Sequence, residues 1–340
     1  MKRGSLYLFI LLLIAQCMTP KNESIVMTVK GPISSHKMGR SLIHEHILVD
    51  FIGANEISDD RWEKSEVIEV VMPYLKEVQT LGCETLFDCT PNYLGRDPEL
   101  LRRLSDSVGI NIITNTGYYG ARDNKFLPPH AFTETADQLA GRWISEWENG
   151  INETNIKPGF IKIGVDRGPL SELHQKLITA AARTHLKTGL TIASHTGPAI
   201  PAFEEMAILK KEGVSPEAFI WVHAQVEKDI SNHIKAAQEG AWISLDGLND
   251  KNPERYLTMI NNLKNNGLLG KVLISHDAGW FSPGEEGGGN FKGYTPVFKK
   301  LIPLLKAEKY STEEINQLLI DNPRNALEIK VRRQAQASGP

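Results

Sequence analysis

Six residues have types and spacings suited to holding a cation: His44 and His46 in "SLIHEHILVD", Lys162 in "FIKIGVD", His195 in "LTIASHTG", His223 in "FIWVHAQ" and Asp277 in "KVLISHDAG". Alternate side chains of an extended strand share a face, so His44 and His46 point one way and Glu45 the other. Such a pair can grip one metal ion, though alone it equally suits a hydrogen-bonded core histidine next to one that lines a cleft. Imidazole and carboxylate together suit zinc and neighbouring transition metals, and a hydrolytic site leaves room for a water whose pKa the metal lowers to about 7. Two metals roughly 3.5–4 Å apart could share one hydroxide. Lys162 is the unusual member, because an ammonium has no lone pair for a metal and repels dications. A neutral amine at that position reacts with carbon dioxide to give a carbamate, an anion able to bridge two metals.

These residues need elements that bring them together. Eight short, β-rich apolar runs alternate with stretches of helical spacing: the five quoted above, and "ETLFDCT", "NIITNTGYY" and "AWISLDG". In "SELHQKLITAAARTHLKTG", Leu173, Leu177, Ala180 and Ala181 share one helical face, Ser171 caps the start and Gly189 the end. Strand and helix alternating eight times predict an α/β protein, a (β/α)8 TIM barrel, with an open doubly wound sheet as the other arrangement. Barrel active sites sit at the C-terminal strand ends. His44 and His46 fall on the first strand, Lys162 on the fourth, and His195, His223 and Asp277 at the ends of the fifth, sixth and eighth. The stretch "IVMTVKGPISSHKMGR" predicts a short N-terminal β-hairpin across the start of the barrel. No Pro- or Gly-rich linker interrupts residues 25–330, so they are expected to form one domain, followed by a polar, frayed tail over 331–340.

The 340 residues carry 38 basic and 41 acidic side chains, interspersed, for a formal net charge of -3. No basic stripe offers itself to a phosphate backbone, so nucleic acid is excluded as a partner. Lys2 and Arg3 precede the apolar "LYLFILLLIA", the pattern of a secretory signal over residues 1–17 and too short to span a membrane, which takes roughly 20 apolar residues. Two processing routes stay open: lipidation of Cys17 after lipoprotein-type cleavage, and ordinary cleavage just after it. The expected location is accordingly exported, either periplasmic or membrane-anchored. Cys83 and Cys89 flank the strand "ETLFD", whose ends lie roughly 20 Å apart at about 3.3 Å per residue. A disulfide requires about 7 Å between Cα atoms, so both are expected to be free.

In order, "HEH", "GFIKIG", "SHTG", "VHAQ", "SHD" and "DNPRNAL" resemble the phosphotriesterase family of the amidohydrolase superfamily, almost end to end over the mature chain. The resemblance implies a (β/α)8 barrel with two divalent metals, zinc first and manganese, cobalt or iron as alternatives. It implies that His44, His46 and Asp277 hold one metal and His195 and His223 the other, with carboxylated Lys162 and a hydroxide bridging both. The implied reaction is hydroxide attack on phosphorus or a carbonyl carbon, with Asp277 taking the proton. Where family members place a proton-shuttling aspartate, this chain has Val226, and where they place His or Arg after the seventh-strand Leu-Asp, it has Gly247. Tyr119 matches a tyrosine that lines the pocket of lactonase-type members. These features favour a carboxyl ester or lactone substrate over a phosphotriester.

The long loop after Asp277 offers Trp280 and Phe281 as pocket walls, and its Gly287–Gly289 run is expected to act as a flexible lid. His174, His185 and His233 are expected on helix surfaces, His36 and His130 in loops, and His276 facing away from the metals. Two other readings of the same residues are a mononuclear, deaminase-like amidohydrolase, which Lys162 disfavours, and a metal-binding barrel that binds a ligand without turnover. A homodimer is compatible with everything above.

Overall fold

The computed structural model describes residues 24–335. The predicted signal segment with Cys17 lies outside the described residues, as do positions 336–340. The described chain opens with an antiparallel hairpin of β1 (Ile25–Thr28) and β2 (Gly31–Ser34). The eight runs then supply β3 (Ser41–Glu45), β4 (Thr85–Asp88), β5 (Asn111–Ile113) with β6 (Asn115–Thr116), β7 (Phe160–Gly164), β8 (Ile192–His195), β9 (Phe219–Val222), β10 (Trp242–Leu245) and β11 (Val272–Ile274). Thr114 splits the third run into two strands.

Between them run the helices α1 (Lys64–Thr80), α2 (Pro98–Val108), α3 (Pro129–Thr133), α4 (Ala136–Asn149), α5 (Glu172–Thr188), α6 (Ala199–Lys211), α7 (Ile230–Gln238) and α8 (Pro253–Asn265). α1 buries Val67, Val71, Leu75 and Val78, the spacing of one helical face. On α5 the Ser171 hydroxyl accepts from His174 N, and Gly189 closes the helix at φ +78°, a conformation glycine adopts without steric cost. No helix among the described residues is long and apolar enough to cross a membrane.

Parallel ladders join β3-β4-β5 and β6 through β11 in chain order. The seam between β11 and β3 closes just past the strand ends: Asp277 N donates to His44 O (3.0 Å) and His46 N to Ala278 O (2.8 Å). Glu45 reinforces it, its carboxylate accepting from Ser275 Oγ, His276 N and Ala278 N at 2.7–3.0 Å. The architecture is an α/β (β/α)8 barrel with a short N-terminal hairpin, and the open sheet is excluded.

Strand periodicity divides the core into two layers. Leu86, Ile112, Ile192 and Val272 face the helices. Their successors Phe87, Ile113, Ala193 and Leu273 fill the barrel interior, where Val26 of the hairpin and Met38 join them. β3 breaks the alternation: from Leu42 to Glu45 it spends three steps against two of β4, from Leu86 to Asp88. This bulge lets Ile43 fill the interior while the next residue, His44, also reaches the central cavity.

Three histidines expected on surfaces are buried. His174 bonds Gly120 O (3.0 Å), His185 bonds Leu190 O (2.8 Å) and His233 bonds Ala224 O (2.7 Å). A ring N–H given to a backbone carbonyl offsets the desolvation of imidazole, which helical spacing alone does not reveal. His36 sits in a single 3-10 turn and His130 on α3 rather than in loops. The tail is not frayed where it is described: Arg332 is buried, its guanidinium donating to Asn325 O and Thr191 Oγ1 and its N–H to His185 Nε2. Cys83 and Cys89 are buried and free.

Candidate metal centre

The C-terminal ends of the strands enclose a cavity of about 280 Å³. His44, His46, Lys162, His195, His223 and Asp277 all line it, so the barrel gathers residues separated by more than two hundred positions. Asp277 Oδ1 lies 3.0 Å from His46 Nε2 and 3.6 Å from His44 Nε2. The ligand atoms of these three residues fall within 4.8 Å of one another, close enough to hold one metal ion. On the other side, His223 Nε2 and His195 Nδ1 are 2.8 Å apart, and Asp277 Oδ2 is 3.9 Å from His223 Nε2.

Orientation of these rings comes from outside the cluster. Asp246, fully buried at the end of β10, accepts from His44 Nδ1 (2.9 Å) and His223 Nδ1 (2.7 Å), and also from Ser244 Oγ and Gln225 Nε2. Each Nδ1 therefore carries the hydrogen, and each Nε2 lone pair is turned to the cavity. His46 Nδ1 is tied to Thr90 Oγ1 at 2.8 Å, to the same effect. Asp246 was not anticipated as a functional residue. Its position after the "AWISL" strand was the available signal, and only the distances show that it serves two histidines at once.

Electrostatics follow from burial and these pairings. Burial alone would push Asp246 up, but the imidazoles of His223 and His44 hold it well below the usual carboxylate range. Asp277 is likewise held low against its burial by His44, His46 and His223. Burial, reinforced by the positive charge of His223 and Lys162, drives His195 well below its usual value. His44 is lowered by burial despite Asp246, whereas for His223 the attraction of Asp246 outweighs burial and raises it. Lys162 is buried and its Nζ has no hydrogen-bond partner among the described residues. A buried, unpaired amine is costly. The donor set and this orphaned nitrogen fit a group with at least one cation.

The pocket wall is mostly apolar, with Val49, Phe51, Leu94, Tyr119 and Trp280 around the cluster. Tyr119 stands edge-on to His195 with ring centroids 5.0 Å apart, and Trp280 to His46 at 5.9 Å. Phe281 does not join them. It is buried beneath its loop, its backbone bonded to Ile47 O and Val49 N, and it packs against Gly288. The expected pocket role of Phe281 is thereby corrected: the chain turns through a left-handed Trp280 (φ +74°), and the backbone bonds of Phe281 to Ile47 and Val49 set its ring under the loop against Gly288. Gly288 is pinned as well: a Cβ there would stand 2.2 Å from the Phe281 ring, so this glycine admits the ring and does not form a free lid. His276 faces away from the cavity, its Nδ1 donating to Glu45 Oε1 and its Nε2 accepting from Val297 N. Val226 stands exposed beside the cavity, and a side chain at Gly247 would meet Tyr256 Oη at 2.8 Å and Gln225 Nε2 at 2.9 Å. Those two side chains fill the space that a His or Arg would take.

A (β/α)8 barrel with a His/Asp cluster and a buried lysine at its C-terminal mouth defines a class of hydrolase scaffold, and comparison with known proteins narrows it. The sequence pattern of the phosphotriesterase family matches residues 24–327. A phosphotriesterase homology protein of Escherichia coli is 30% identical over 84% of this chain and 96% of its own. An aryldialkylphosphatase of Saccharolobus solfataricus is 29% identical over 88% and 98% of the two chains. A phospho-furanose lactonase of Mycoplasmopsis synoviae is 26% identical over 90% and 92%. The solved organophosphorus hydrolase of Deinococcus radiodurans shares the fold at a TM-score of 0.78, covering 91% of this chain and 98% of that one at 23% identity. This chain belongs to the phosphotriesterase family and is a hydrolase of that family.

Proposed function

We propose that the protein is an exported, binuclear metal-dependent hydrolase that cleaves a carboxyl ester or lactone. The observation that carries the reading is Lys162, a buried amine with no hydrogen-bond partner among four imidazoles and a carboxylate. Carboxylation of its Nζ would turn an unpaired amine into an anion between two cations. His44, His46 and Asp277 would hold one divalent ion and His195 and His223 the other. Zinc suits this set, and manganese, cobalt or iron would also be accepted. Such ions, when bound, supply an activated water and polarise the bond to be cleaved.

The chain's own residues account for the rest. Asp246 fixes the tautomers of His44 and His223. Asp277 Oδ1 faces His46, which leaves Oδ2 as the oxygen to take a proton. Beyond Asp277 the outward proton relay of phosphotriester-cleaving relatives is missing, since Val226 and Gly247 carry no titratable group. That gap, with Tyr119 on the pocket wall, favours a lactone or carboxyl ester over a phosphotriester. A mononuclear alternative draws on the close grouping of His44, His46 and Asp277, which suffices for one ion.

Metal content per chain, measured with hydrolysis of neutral lactones and phosphotriesters by the same preparation, tests the proposal. Two metals, with turnover lost to a chelator and restored by added metal, are expected. In Lys162→Ala the metal content should fall to one or below, with most activity lost. A metal-replete, fully active Lys162→Ala protein would refute the binuclear reading, and one metal in the active wild type would favour the mononuclear one.

A further inference from the structure

A second recess of about 330 Å³ opens beside the metal centre and shares His195, His223 and Arg122 with the first. Its wall carries two guanidinium groups, Arg122 and Arg167. Some arginines of the fold are matched by acids, Arg61 by Asp50, Arg96 by Glu146 and Arg142 by Glu134. Arg122 and Arg167 have no ion pair among the described residues. The carboxylate on their wall, Asp166, accepts from the backbone N–H of Arg122 at 2.7 Å through Oδ1 and forms no ion pair with either guanidinium. Arg122 stands where the recesses meet, its guanidinium carbon 5.1 Å from the centroid of Phe51, a residue of the reaction cavity. The whole chain has more acidic than basic residues, 41 against 38, so the two arginines on one recess wall do not reflect a general excess of positive charge.

A guanidinium fork matches a carboxylate or phosphate bidentately, and it keeps its charge at any working pH. We infer that the second recess receives an anionic group of the substrate, which is therefore an ester or lactone bearing a carboxylate or phosphate. The scissile bond lies in the reaction cavity while Arg122 and Arg167 hold the anion. The position of the scissile bond rests on the hydrolase reading, whereas binding of the anion does not.

Matched lactones, one neutral, one carboxylated and one phosphorylated, distinguish the anions in wild type, Arg122→Gln and Arg167→Gln. The ratio of kcat/KM for the favoured anionic lactone over the neutral one is expected to fall about tenfold in each variant, chiefly through KM. An unchanged ratio in both variants overturns the inference. Calorimetric titration with inorganic phosphate and with acetate is independent of turnover. Wild type should bind at least one of these anions about tenfold more tightly than the Arg122→Gln/Arg167→Gln double variant. Equal affinities for both anions would overturn the inference. Arginine-dependent anion binding without hydrolysis of any lactone would remove the hydrolase reading and leave the anion site standing.

Discussion

Glu205 on α6 is fully buried beneath β8, where its carboxyl bridges the two residues that flank His195. Ser194 Oγ donates to Glu205 Oε1. Thr196 Oγ1 donates to Glu205 Oε2 at 2.6 Å and also lies 2.9 Å from Ser194 O. Burial pushes Glu205 up from 4.5 to about 8 against the opposing effect of the two hydroxyls. The folded state keeps a proton that the unfolded chain releases above about 4.5. Stability is therefore lost as pH rises from about 4.5 to about 8, by on the order of 5 kcal/mol, and this contribution is flat beyond. That is comparable with the whole stability of many domains, about 5–15 kcal/mol.

Glu205→Gln mimics the protonated acid, with Oε1 to accept from Ser194 and Nε2 to donate to Thr196, and it does not titrate. Urea unfolding of both proteins in the same metal state at pH 5 to 9 reads the difference, and shared titrations cancel in the comparison. The variant is expected to gain on wild type by several kcal/mol between pH 5 and 8, whatever its offset at pH 5. A constant difference over that range would refute the reasoning, because it would mean that folding does not change the proton affinity of Glu205.

Asp246→Asn places an amide where two Nδ1–H groups need an acceptor. Metal affinity, measured by competition with a chelator, should fall about ten- to a hundredfold, and unchanged affinity would dissociate Asp246 from the site. Gly288→Ala must seat a Cβ at φ +75° against the Phe281 ring, so a loss of about 1–3 kcal/mol in urea unfolding is expected. A loss below about 0.5 kcal/mol, the range of neutral surface changes, would show that the loop yields easily.

The sequence by itself determined the order of strands and helices, because apolar runs and capped amphipathic stretches are local patterns that local backbone geometry must follow. It also determined the six residues of the cluster, since His44, His46 and Lys162 fall on strand runs and His195, His223 and Asp277 at strand ends, and a barrel brings these runs together. Only the tertiary structure decided the partners of those residues. Asp246 reaches both His44 and His223, Glu45 crosses the seam to residues 275–278, and Glu205 rises from a helix to the strand above it; none of these pairings is near in sequence. The same reason explains the errors. Whether His174, His185 and His233 are buried, and whether Phe281 meets the cavity or the loop beneath it, depends on which carbonyls and rings arrive from elsewhere in the chain. Periodicity states which side of an element a residue occupies, and packing alone states what lies on that side.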